Sequence, residues 1–332
     1  MIVLALLAFL ALPGCERPAT PADVVTLYTS VDQPFAERIV AAFSRQTGLR
    51  VQALYDTEAG KTTGFVRRIQ REAGAARCDV WWSSEVFGTI ELARAGLLDA
   101  YDSPAAADIP PEWRDQQQRW IGLAARARVV AYDPRRIAPE SLPATWAELA
   151  QPAWAARTAL ANPQFGTTRG HIAALFAFEG VEHGTALLQS LRSARARIAD
   201  GNSQTVRLVE SGQADLAWTD TDDVWVAQER GDSLNVYYPR VVADGPPLWI
   251  PCSVALVRGG PNSAGGRRLV DYLVSAAVER ALAGSESRNV PVRAALRAEL
   301  RLDPPTPEAV DFDRVADALP QAMTAARDIL LR

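Results

Sequence analysis

Short apolar runs alternate along this chain with longer amphipathic stretches, and most changeovers pass through a brief polar turn. Residues 24–28 read as a strand, then Thr29-Ser30-Val31-Asp32 as a turn, then residues 34–46 as an amphipathic helix stopped by Gly48. The unit repeats as strand 49–54 with helix 62–72, and as strand 78–82, turn Ser83-Ser84-Glu85 and a helix to Ala95. Residues 100–120 form a surface connection, 120–132 are extended, and three prolines lead to a short helix at 146–149. Strand 158–161, helix 169–178, strand 197–199, a helix to Glu210, strand 216–218 and helix 224–230 continue the alternation. Strands at 236–238 and 250–257, one long helix over 265–283 and a final amphipathic helix complete it. Strand, turn and helix in this order predict an α/β protein whose mostly parallel sheet carries helices on its faces.

Five of the strand-to-helix turns share one chemistry: Thr29-Ser30, Ser83-Ser84-Glu85, Gly166-Thr167-Thr168, Gly201-Asn202-Ser203 and Thr219-Asp220-Thr221-Asp222-Asp223. Such residues are ordinary helix caps. They also stand where open α/β sheets hold ligands, beside unpaired backbone N–H groups and the positive end of a helix dipole. Hydroxyls and amides there suit an oxyanion, and Gly166 and Gly201 let backbone approach it. Two such turns in the first half and three in the second point to a ligand clasped between two lobes.

A length of 332 residues exceeds one typical core and predicts two domains. The balance of 48% apolar and 22% charged residues is that of a globular protein. A net charge of −4 gives no footprint for nucleic acid. The apolar stretch 1–12 is too short to span a bilayer. It ends in Leu12-Pro13-Gly14-Cys15, which resembles the lipobox of bacterial lipoproteins, with cleavage before Cys15 and lipidation of that cysteine. A signal peptide without lipidation is the alternative, and both predict export. Cys78 and Cys252 would then share an oxidising compartment that permits a disulfide. His171 lies in a helical stretch and His183 just beyond it, poor material for a zinc site.

The turn sequences, their spacing, Ile250-Pro251, the 285–291 segment, Leu27-Tyr28-Thr29-Ser30 and Asp79-Val80-Trp81-Trp82 together resemble the extracellular solute-binding proteins of ABC importers, in their ferric-iron-binding branch. The resemblance spans about residues 24–295. It implies a type II periplasmic-binding fold: two lobes, each a mixed sheet flanked by helices, joined by a hinge of crossing strands near 122–130 and 249–253. Residues 1–15 would be signal peptide and lipobox, 16–23 a tether, 24–122 with 250–292 the N-terminal lobe, and 123–249 with 293–332 the C-terminal lobe. In that picture Cys252 starts its strand at the cleft and Cys78 begins its own at the far end. Two buried thiols are therefore expected rather than a disulfide.

The same resemblance implies ferric iron held by two adjacent tyrosinates after the strand that ends at Trp218, with a synergistic anion at helix N-termini. This chain has Thr221 and Asp222 there. Carboxylates also bind hard cations, so Asp220, Asp222 and Asp223 are the candidate metal ligands. Tyr237-Tyr238 would send its rings to opposite faces of a strand and is read as packing. Ligand contacts are expected from Thr29, Ser30, Asp32, Ser83, Ser84 and Glu85 on the first lobe. From the second they are expected from Gly166, Thr167, Thr168, Asn202, Ser203, Thr219 and Thr221. Capping is the other reading of Asp32 and Glu85. Trp81, Trp82, Trp218 and Trp225 are assigned to the core.

A second reading keeps the architecture and takes a small organic anion such as a phosphonate or phosphate ester. A third is an enzyme: Asp220-Thr221-Asp222-Asp223-Val224 fits the Asp-x-Asp-x-Val pattern of magnesium-dependent phosphotransferases, with the first Asp as nucleophile. Those enzymes need a lysine downstream, and the single lysine here, Lys61, lies far upstream. The expectation is a binding protein without catalysis or catalytic cofactor, working with permease subunits. It would be a monomer in the periplasm or cell envelope, lipid-anchored, and would bind no nucleic acid.

Overall fold

In the computed structural model of the chain, which describes residues 23–55, 62–302 and 304–332, the predicted alternation becomes a two-lobed α/β fold. Cys15 and Lys61 lie outside the described residues. The first lobe opens with β1 (Val24–Thr29), α1 (Gln33–Thr47), β2 (Arg50–Tyr55), α2 (Thr63–Arg71), β3 (Val80–Ser83), α3 (Phe87–Arg94) and β4 (Leu98–Asp99). Strand β5 (Ile121–Tyr132) leads out of it to α4 (Trp146–Leu149), α5 (Pro152–Ala155), β6 (Thr158–Ala161), α6 (Gly166–Glu179) and α7 (Val181–Ser193). Then come β7 (Arg197–Ala199), α8 (Asn202–Glu210), β8 (Leu216–Asp220), α9 (Thr221–Glu229) and β9 (Asn235–Tyr237). Strand β10 (Trp249–Val257) returns, followed by α10 (Ser263–Leu273), α11 (Ala276–Ala283), α12 (Ala294–Leu300) and α13 (Phe312–Leu330).

The strands run in the order β2-β1-β3-β10-β5-β8-β6-β7, with β4 beside β10 and β9 beside β5. Pairs β1–β2, β1–β3, β6–β7 and β6–β8 are parallel, as βαβ units require. The pairs made by β5 and β10 are antiparallel, so the sheet is mixed. Strand β5 spends residues 121–127 against β10 and residues 128–132 against β8, which makes it the crossing element. Strands β3, β5, β8 and β10 are buried almost throughout, which explains why their sequences are apolar runs rather than alternations.

The crossing is irregular at one place. The β5–β10 register shifts between Pro251 and Cys252, and Ala124 opposite adopts φ +47°. Pro251 has no N–H for the ladder, and a bulge is where a sheet tolerates it. The N–H of Ala124 is donated instead to the buried Glu279 carboxylate at 2.8 Å. Glu279 also accepts from Val292 N and pairs with buried Arg293, which ties the crossing strand to the first turn of α11.

Trp81, Trp82, Trp146, Trp218 and Trp249 are fully buried and belong to the hydrophobic core. Tyr237 and Tyr238 pack as expected: Tyr238 stacks on Trp249, with ring centroids 6.2 Å apart. Cys78 and Cys252 are free and buried. The helix expected over 265–283 is two helices, α10 and α11. Ser275 is extended, and its hydroxyl turns back to the Tyr272 carbonyl, which ends one helix and starts the next. His183 falls inside α7, a helix hidden in the sequence by Gly184 and by the left-handed Gly180 just before it. Helix α13 packs on α6 and α7 and reaches back to α3. Among the described residues no helix is long and apolar enough to cross a membrane.

Candidate functional site

The N-termini of α1, α6, α8 and α9 and the loop after β3 open on one cleft of about 480 Å³ between the lobes. The first lobe contributes Ser30, Asp32, Gln33 and Ser84. The second contributes Gly166, Thr167, Thr168, Asn202, Ser203 and the three aspartates Asp220, Asp222 and Asp223, while Arg126 rises from the crossing strand. Helix starts leave backbone N–H groups without intrahelical partners, and four starts around one space make a strong anion cradle. Gly166 takes φ +54° at the head of α6, a conformation that admits the sharp entry into the helix.

On the first lobe the hydroxyls form a connected set. Ser30 Oγ accepts from Ser84 N at 2.9 Å and from Thr62 Oγ1 at 3.1 Å, and lies 3.2 Å from Ser84 Oγ. On the second lobe a buried ion pair does the positioning. Arg128 Nη1 donates to Asp220 Oδ1 at 2.8 Å, and Asp220 Oδ2 accepts from Thr167 Oγ1 and from Asn202 Nδ2. His171 supports this group from the core: its Nδ1 accepts from Arg128 Nε at 3.4 Å, and its ring lies 4.1 Å from that of Trp146. Burial, reinforced by the Arg128 charge, pushes the His171 pKa well below its usual value, so the ring is neutral.

Asp220, Asp222 and Asp223 can each offer one oxygen within 4.8 Å of the others, a spacing that could hold a hard cation. Asp223 accepts from Thr219 Oγ1 at 3.0 Å. Asp222 accepts from Arg126 Nη1 at 2.8 Å, and Arg126 Nη2 reaches the Ser84 carbonyl at 2.9 Å and Cys252 Sγ at 3.3 Å. Burial works against the Arg126 charge, but the neighbouring carboxylates, Asp222 first, outweigh it and raise the guanidinium pKa well above its usual value. The lining carries five aspartates, Asp32, Asp200, Asp220, Asp222 and Asp223, against Arg126 and Arg230. A bare anion would meet net negative charge there, so the cleft suits an anion that arrives with a positive partner.

Of the residues expected from the sequence, Ser30, Asp32, Ser84, Gly166, Thr167, Thr168, Asn202, Ser203, Asp220, Asp222 and Asp223 line this cleft. Thr29, Ser83, Glu85, Thr219 and Thr221 stand one layer behind and brace it. Thr29 accepts from Val31 N and Ser83 from Glu85 N. Thr221 takes the Ala127 N–H of the crossing strand. Glu85 is fully buried and caps α3 through Phe87 N and Gly88 N, and burial raises its pKa above the usual carboxyl range. Arg126, Asp200 and Ser287 line the cleft as well, and Arg128 stands behind it, outside the pattern of polar turns. The signal for the arginines was present: two at i and i+2 in an apolar strand share one face and need acidic partners on it.

Residues 25–285 match the family described as bacterial extracellular solute-binding proteins. The chain is similar to the major ferric iron-binding protein of Neisseria meningitidis, 25% identical with 90% of this chain and 87% of that one covered. It is also similar to a putative 2-aminoethylphosphonate-binding periplasmic protein of Salmonella paratyphi A, 25% identical over 82% of this chain and 79% of the other. The solved structure of iron-bound HitA from Pseudomonas aeruginosa superposes with a TM-score of 0.82 at 24% identity, covering 92% of this chain and 99% of that one.

Proposed function

This chain belongs to the bacterial extracellular solute-binding proteins, and we propose that its cleft captures ferric iron together with an anion. Proteins of this family bind solutes for import and are not enzymes, so the phosphotransferase reading of Asp220 and Asp222 falls. The geometry agrees: both Asp220 oxygens accept from side chains of the fold, Arg128, Thr167 and Asn202, which gives that carboxylate a positioning role.

The observation that carries the ferric reading is the trio Asp220, Asp222 and Asp223, within 4.8 Å of one another, facing a hydroxyl cradle across one cleft. Hard trivalent iron prefers oxygen donors. In this reading Asp222 and Asp223 supply them, with Asp220 at the back of the group. The anion completes the shell from Ser84, Thr168, Ser203 and the N–H groups of α6 and α8. The name of the Neisseria relative supports the same ligand. Closure would follow from contacts made to both lobes at once, N-terminal 24–122 with 250–292 and C-terminal 123–249 with 293–332. Delivery would be to the permease of an ABC importer, by a monomer held at the membrane through lipid on Cys15.

A second reading rests on a different feature. Arg126 and Arg128 already pair with Asp222 and Asp220. That arrangement also suits an organic zwitterion, with its ammonium at the aspartates and its anion on the hydroxyls, and the Salmonella relative's name fits it. A thermal-shift panel separates the two. Stabilisation by ferric iron with citrate or phosphate supports the first, and stabilisation by 2-aminoethylphosphonate without iron supports the second.

A further inference from the structure

We propose that Thr62, one layer behind the cleft, sets the direction of the first lobe's hydroxyl chain: it donates to Ser30, and the Ser84 proton is thereby left for an oxyanion in the cleft. That role rests on the reading of the cleft as a place where an anion sits on hydroxyls, and it makes Thr62 a positioning residue that never touches the ligand.

A serine hydroxyl has two acceptor lone pairs and one proton. At Ser30 both lone pairs are taken, one by Ser84 N at 2.9 Å and one by the Thr62 hydroxyl at 3.1 Å. The Ser30 proton then goes to Ser84 Oγ at 3.2 Å or to Ser83 Oγ at 3.4 Å. In either case Ser84 cannot donate back to Ser30. Ser30 is the only hydrogen-bond partner of the Ser84 hydroxyl among the described residues, and Ser84 borders the cleft. Its proton therefore faces the space where an anion would lie. A hydroxyl that receives a hydrogen bond is polarised into a stronger donor, and Ser84 receives one whenever Ser30 turns to it.

Thr62 is held firmly in this position. It is buried at the start of α2 and takes φ +64°, a conformation rare for a β-branched residue. Its carbonyl accepts from Val66 N at 2.9 Å, and its methyl group sits where a Cβ on Gly88 would come within 2.7 Å of it. Residues in such conformations persist where their surroundings over-determine them, and they cluster at ligand clamps. Among the described residues the Thr62 hydroxyl bonds only to Ser30, so its effect on the cleft passes through that contact.

The test is calorimetric titration of the iron-loaded full chain with inorganic phosphate. Thr62→Val keeps the shape and has no proton to give, which frees a lone pair on Ser30 to which Ser84 can turn. Phosphate affinity should fall roughly tenfold, the effect of one hydrogen bond to a charged group. Thr62→Ser, which keeps the hydroxyl, should restore most of it. Packing alone would give the reverse order, since Val fills the space and Ser does not. Ser84→Ala should lose about as much as Thr62→Val, and the double variant no more than either, because both changes remove one donor. If Thr62→Val does not fold, Thr62→Ala against Thr62→Ser reads the same difference. For an anion that carries its own cation, the same variants are titrated with 2-aminoethylphosphonate without iron, and the same order is expected. Equal affinity in wild type and Thr62→Val, or additive losses in the double variant, overturns the role of Thr62 and leaves the cleft's reading standing. A wild type that binds neither phosphate when iron-loaded nor 2-aminoethylphosphonate overturns both.

Discussion

Arg128 and Asp220 meet at 2.8 Å with 0% and 2% of their side chains exposed, and the cleft's second-lobe face is built on that contact. The pair comes from antiparallel strands, β5 and β8, in which the two residues are direct register partners. Through it Thr167 and Asn202, the side chains at the starts of α6 and α8, are fixed in aim. A charge so placed supports the site before it touches any ligand.

Asp220→Ala should therefore damage the fold. Removing one member of a buried ion pair strands the other, at a cost of about 3–5 kcal/mol. A clear fall in the urea midpoint of the ligand-free protein is expected, and an unchanged midpoint would show that Asp220 serves the cargo alone.

Asp223→Ala should do the opposite. Asp223 is partly exposed, and its carboxylate accepts a hydrogen bond from the Thr219 hydroxyl at 3.0 Å. Loss of that hydrogen bond costs about 1 kcal/mol, so ligand-free stability should fall well short of the loss expected for Asp220→Ala. The ferric-dependent rise in melting temperature should disappear, and a retained rise would remove Asp223 from the metal's ligands.

Thr168→Val tests the anion cradle without touching the buried pair. The Thr168 hydroxyl donates to Asn202 Oδ1 at 3.3 Å and borders the cleft. Loss of one hydrogen bond to a charged group, about 1.5–3 kcal/mol, should weaken phosphate binding to the iron-loaded protein by at least roughly tenfold in titration. Equal affinity would leave Thr168 a helix-start residue and nothing more.

His171 predicts a pH dependence with a definite sign. Its unfolded pKa is near 6.5, and in the fold burial, then Arg128, drive it well lower. Between those values the unfolded chain holds the extra proton, so the contribution to stability is complete above pH 6.5 and is lost as pH falls, by at most about 1.4 kcal/mol per unit. His171→Gln should flatten the decline in melting temperature between pH 7 and 5. Parallel declines in the two proteins would show that another group controls acid sensitivity.

Element types and the strand-end turns were legible in the sequence because both are local. A buried strand needs an apolar run, a helix start needs a capping residue, and neither depends on distant chain. The same logic brought eleven of the sixteen expected ligand and metal residues to the cleft lining. Which neighbour faces forward was another matter. Within Thr29-Ser30 and Ser83-Ser84 only the second member lines the cleft, since side chains alternate along extended backbone and the pleat's phase is set by strand pairing.

An α/β alternation, an exported-protein signature and polar turns at strand ends are thus all written in local patterns of residues. Tertiary structure decided the electrostatics. Arg126 and Asp222 are 96 residues apart in the chain, and Arg128 and Asp220 are 92 apart. Only the antiparallel crossing of β5 against β10 and β8 brings those guanidiniums under the acidic turn. Periodicity records which face a residue occupies, while the partner on that face is chosen by strand order, which no local pattern encodes.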